Sequence, residues 1–103
     1  MIRLNQKGYK NARKLIEAGR INKGSWEKPN LSDFKNVEEY SLYCLGVDTE
    51  ADPETAAAYS YPYGKKGEVY IAALRAIRSA AAGGRGAQPN KEIFEAAGRL
   101  LDQ

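Results

Sequence analysis

Histidine is absent from this chain, and cysteine occurs once, at Cys44. Without histidine, zinc sites built from Cys and His and nucleophilic Ser-His or Cys-His pairs are excluded. A lone cysteine excludes an intrachain disulfide, so the fold needs no oxidising compartment. Long apolar runs are missing too. No stretch is long enough to span a bilayer, and residues 1–7 lack the apolar core of a signal peptide. Walker, dinucleotide-binding and nucleophile-elbow patterns do not occur. The adjacent acids Glu38-Glu39 do not share a helix face, and neither they nor the acidic run 48–54 have an apolar pocket to raise a pKa. The expectation is a soluble, intracellular protein with no enzymatic activity, no cofactor and no metal.

What is present fits one small domain. The 103 residues are 43% hydrophobic and 28% charged, an ordinary globular balance. Charge is unevenly spread. Residues 1–28 carry eight Lys/Arg against two Asp/Glu, and residues 29–63 carry one against seven. The two parts either attract each other or mark a surface for an anionic partner. The domain accordingly divides into a basic helix and loop (1–28), an acidic middle with a short central helix (29–58) and a tyrosine-rich segment with a helical hairpin (59–103).

Apolar periodicity predicts a first helix over 6–18, with Tyr9, Ala12, Leu15 and Ile16 on one face and Lys7, Lys10 and Lys14 opposite. Gly19 suits its C-terminal cap. In the loop that follows, Trp26 either folds back as a lid on the core or stands out as a partner anchor. Asn36 and Glu39 form a capping signature for a helix over 37–45, apolar almost all round and therefore central. Cys44 within it reads as an inert buried thiol. Asp52, Pro53 and Glu54 suit another helix start. Asp48, Glu50 and Asp52 lack the glycine and distal Glu of a calcium loop. Residues 70–82 and 90–102 read as two amphipathic helices joined by the glycine-rich loop 83–89. That loop follows a helix instead of a strand and lacks the phosphate-binding order.

The stretch Tyr59-Ser60-Tyr61-Pro62-Tyr63 favours an extended conformation, with Pro62 steering Tyr61 from helical angles. After a turn at 64–67, Glu68-Val69-Tyr70 returns beside it as a minimal hairpin. Its tyrosines serve either the core or a ligand. The expected fold class is mostly α, a compact bundle of about four helices with this hairpin.

The segment Tyr59-Ser60-Tyr61-Pro62-Tyr63-Gly64, with Ala72-Ala73-Leu74-Arg75-Ala76 and Ala96-Ala97-Gly98-Arg99-Leu100-Leu101, resembles a small helical domain of unknown function. That domain is found in phage and prophage proteins, alone or appended to head-region proteins such as prohead proteases. The likeness covers the second half of the chain closely and the first half loosely. It implies a viral or prophage accessory or structural role and brings no catalytic residues, since the protease part is missing here.

Two functions follow as expectations. The first is a protein-interaction module docking on a virion component or host protein, with Trp26, Tyr61, Tyr63 and Arg75 as contacts, because aromatics and Arg dominate interface energies. The alternative is nucleic-acid binding through Lys7, Lys10, Lys14, Arg20 and Lys23.

Overall fold

The computed structural model describes residues 1–86 and 88–103. It corrects the expectation of a mostly helical bundle. Helix accounts for 47% of the chain and strand for 19%, and the strands form two small three-stranded sheets. Among the described residues the fold is mixed α/β with four α-helices.

Helix α1 (Gln6–Glu17) ends as its sequence foretells. Gly19 has φ 75°, and the amides of Gly19 and Arg20 donate to the carbonyls of Ile16 and Leu15. This is the paired bonding of a Schellman cap. The middle of the chain departs most from expectation. Helix α2 covers only Val37–Ser41, and the apolar residues that follow form a strand, β3 (Cys44–Asp48). Asn36 does cap α2, its side chain accepting from the Glu39 amide at 2.9 Å, while Glu39 reaches the Lys35 amide instead of its own cap.

β3 lies at the centre of the first sheet. β1 (Ile2–Leu4) pairs antiparallel on one side and β4 (Tyr59–Pro62) on the other. A central strand wholly buried at Cys44 and Leu45 carries an unbroken apolar run. Over so few residues that run is indistinguishable from a buried helix. Tyr59–Pro62 is extended, but its partner is β3, not the segment 68–70. The hairpin is shorter: β5 (Gly64–Lys65) pairs with β6 (Glu68–Tyr70) across a turn with positive φ at Lys66 and Gly67. The predicted helix start at Asp52 yields a turn, in which Asp52 Oδ1 accepts from the Glu54 amide, and a short 3-10 segment at Ala56–Ala58.

The second sheet adds β2 (Ile21–Asn22), parallel to β6 with Ile21 opposite Val69 and Asn22 opposite Tyr70. Helices α3 (Ile71–Ala81) and α4 (Lys91–Leu101) then form the C-terminal hairpin. Part of the glycine-rich connection, Ala87, lies outside the described residues. Ala73, Leu74, Ile77 and Ala81 of α3 and Ile93, Ala96, Ala97 and Leu100 of α4 are buried. Small alanines let the two backbones approach closely, and the hairpin joins α1 in one core with Ala12 and Ile16. Among the described residues, no helix is long and apolar enough to cross a membrane.

The outer edge of β1 is closed by the first turn of α4. Asn90 Nδ2 donates to the Ile2 carbonyl at 3.0 Å, and the Leu4 amide donates to Glu92 Oε1 at 2.6 Å. Arg3 Nε reaches the same oxygen at 3.1 Å. An open strand edge invites pairing with other chains, and here side chains satisfy it. The Arg3 hydrogen bond, helped by the Leu4 amide, holds the Glu92 carboxyl below its ordinary value. A depressed carboxylate stabilises the fold above the unfolded-state value, and that stability is lost as pH falls through the folded value. Glu92→Ala should cost about 1 kcal/mol at neutral pH. It should also flatten the acid limb of a plot of urea midpoint against pH, which is the measurement to make.

Candidate functional site

The fold scatters the five residues of the nucleic-acid reading. Lys7 lines a hollow shared with Glu38 and Glu54. Lys10 and Lys14 lie together beside Arg13 and Glu17 on the outer side of α1, where Arg13 and Glu17 approach to 3.9 Å. Arg20 is turned toward the hairpin, its Nε donating to the Gly67 carbonyl at 3.2 Å. Lys23 belongs to a different surface, against α3. Acidic side chains interrupt two of these places, so the five form no single phosphate track.

The interaction candidates divide as well. Tyr63 is 0% exposed. Its hydroxyl accepts from Asn11 Nδ2 and lies 2.6 Å from the Leu42 carbonyl and 2.9 Å from that of Gly8. Tyr63 is core, which corrects its reading as a contact residue. Tyr61 is half-buried, with φ 58°, a left-handed value uncommon outside glycine. It borders a cleft with Met1, Arg3, Asn90 and Glu92. Arg3 there is paired with Glu92 at 3.1 Å and the Met1 amine with Asp48 and Glu50, while Lys91 of the same lining has no carboxylate within 4.0 Å among the described residues. Trp26 is half-buried against Tyr70, ring centroids 4.9 Å apart and planes at 51°. Part of its surface packs as a lid would, and part stays open to solvent. Arg75 is exposed on α3.

Lys23 and Arg75, assigned to rival functions by the sequence, meet in one groove. Lys23, Ile71, Arg75, Arg78, Ser79 and Leu101 line a space of about 640 Å³. Helical spacing puts Ile71, Arg75, Arg78 and Ser79 on one stripe of α3, away from the buried Leu74 and Ile77. Leu101 comes from the last turn of α4. Lys23 arrives through the parallel pairing of β2 with β6: Asn22 lies opposite Tyr70, the residue just before α3. Trp26 reaches Tyr70 from the same loop.

The groove is cationic over an apolar floor. Ile71 and Leu101 are half-buried, and the Arg78 guanidinium lies 5.0 Å from the centre of the Phe94 ring. That is cation–π distance. Among the described residues, no carboxylate lies within 4.0 Å of Lys23, Arg75 or Arg78; the ion pairs formed involve Met1, Arg3 and Arg13. Planar guanidinium groups favour paired hydrogen bonds to anionic oxygens, while Lys23 acts as a point charge. Sequence reasoning missed Arg78, Ser79, Ile71 and Leu101 as groove residues. Arg78 and Ser79 were recoverable, at i+3 and i+4 from Arg75.

Cys44 is 0% exposed, and burial pushes its thiol up to about 12, so the thiolate is scarce at neutral pH. Among the described residues, no three His, Cys, Asp or Glu side chains gather in a way that would hold a metal ion. Comparisons with protein-family models, with curated proteins and with solved structures find no match to this chain.

Proposed function

We propose that this chain is a non-enzymatic protein-interaction module of the phage or prophage accessory kind, docking on a virion component or host protein through the groove of α3, α4 and the Lys23 loop. The observation that carries the reading is the cluster of three cations without a carboxylate partner above half-buried apolar side chains. Arginine is among the residues enriched where protein interfaces concentrate their binding energy. The viral setting is supported by the resemblance in the Tyr-Pro segment and the two C-terminal helices. Nucleic-acid binding ranks second, because its five candidate cations are dispersed and two of their surfaces include glutamates.

Affinity capture from infected or lysogenic cells tests the proposal. The wild-type chain should recover a reproducible protein partner. Arg75→Glu combined with Arg78→Glu should reduce recovery by about tenfold or more. Both residues are exposed, so thermal unfolding of the variant should stay near that of the wild type. Failure to recover any reproducible protein, together with oligonucleotide binding that weakens steeply with salt in a gel shift, would reverse the ranking.

A further inference from the structure

Resting on that docking reading, we infer that the occupant of the groove is a short acidic segment of the partner protein, with one large apolar side chain set among carboxylates. Size is the first ground. An open depression lined by six described residues takes a few side chains, against the roughly 20–30 residues a side of a typical broad protein interface.

Charge is the second ground. Lys23, Arg75 and Arg78 present three positive groups, and among the described residues Ser79 is the only other polar side chain of the lining. Two arginines one helical turn apart match carboxylates spaced a few residues apart on a peptide. The third ground is the floor. Ile71 and Leu101 border the groove, and Phe94 lies beneath the Arg78 guanidinium. An apolar anchor seated on that floor displaces water beside the arginines and strengthens their pairing with carboxylates. A phosphate backbone offers the charges but no anchor for the floor.

Trp26 is the only tryptophan of the chain. Through Tyr70 it adjoins the N-terminal end of α3, so its emission reports on the loop beside the groove. A random-peptide display selection on the immobilised full chain supplies the probes, with affinities then read from Trp26 fluorescence. A single-stranded oligothymidylate is titrated in parallel. The expected result is enrichment of net-acidic peptides carrying at least one large apolar residue. Their affinity should fall at least about 100-fold on the Arg75→Glu/Arg78→Glu variant and by a smaller factor on Lys23→Glu. Moderate salt should weaken binding without abolishing it.

Peptides that are enriched without acidic character, or that bind the double variant equally well, overturn this inference and leave the docking reading standing. No peptide enrichment also overturns it, and the docking reading is then decided by the capture experiment. Tight oligothymidylate binding with no peptide enriched overturns both.

Discussion

Replacing Gly8 with alanine should destabilise the protein by roughly 3 kcal/mol, opposite in sign to what helix propensity alone gives. Gly8 lies in the first turn of α1 and is buried. In an exposed helix interior, alanine is favoured over glycine by about 1 kcal/mol. Here an added Cβ would collide with the backbone carbonyl of Cys44 and approach Asn5 Nδ2 to 3.0 Å. Neither neighbour yields easily. Cys44 belongs to the central strand, and Asn5 Nδ2 is held between the carbonyls of Ser41 and Cys44 at 2.7 and 3.0 Å. Relief requires α1 to back away from β3, which loosens Ala12 and Ile16 from the core. Gly98→Ala provides the contrast. Its Cβ would meet nothing nearer than Arg78 Nε at 3.9 Å, so propensity prevails and stability should rise by about 0.5–1 kcal/mol. Urea midpoints measured side by side check both signs. A Gly8→Ala protein as stable as wild type would mean that the helix and strand are not in this contact.

The same helix illustrates what the chain discloses before folding. α1, α3 and α4 were legible because their information is local: an apolar stripe at helical spacing, Asn90 as a cap, Gly19 as a stop. β3 was not, since burial on both faces erases the alternation that identifies a strand. β1 has three residues, and its evidence lies in partners more than forty positions away. Gly46 follows directly on the helix expected over 37–45. It sits mid-strand, where a side chain would collide with Ser60 and Tyr61 of the neighbouring strand. The groove was half legible. Arg75 carries its neighbours Arg78 and Ser79 by helical arithmetic, but Lys23 joins them only through the pairing of β2 with β6. No local rule forecasts one two-residue pairing between segments almost fifty residues apart.

Tyr63→Ala should cost about 4 kcal/mol, the largest single truncation expected here, because it empties a site with no solvent exposure. The ring ends a row of aromatics. Phe34 meets Tyr43 with centroids 5.5 Å apart, and Tyr43 meets Tyr63 at 6.0 Å. Tyr63→Phe separates the hydroxyl from the ring and should cost about 1–3 kcal/mol, since it leaves buried groups with fewer partners. The hydroxyl oxygen accepts from Asn11 Nδ2, and its proton goes to the Leu42 or the Gly8 carbonyl. One oxygen thus ties α1 to the end of α2 and to the corner between the two sheets. Burial pushes the phenol well above its ordinary value, so it remains a donor across the range in which the protein is handled. In a double-mutant cycle of Tyr63→Phe with Asn11→Ala, the two losses should fall short of additivity by about 1 kcal/mol. The folded fraction of Tyr63→Phe should meanwhile bind groove ligands as the wild type does, because Tyr63 is not among the groove residues. Loss of binding with unchanged stability would place Tyr63 at the surface and contradict its burial.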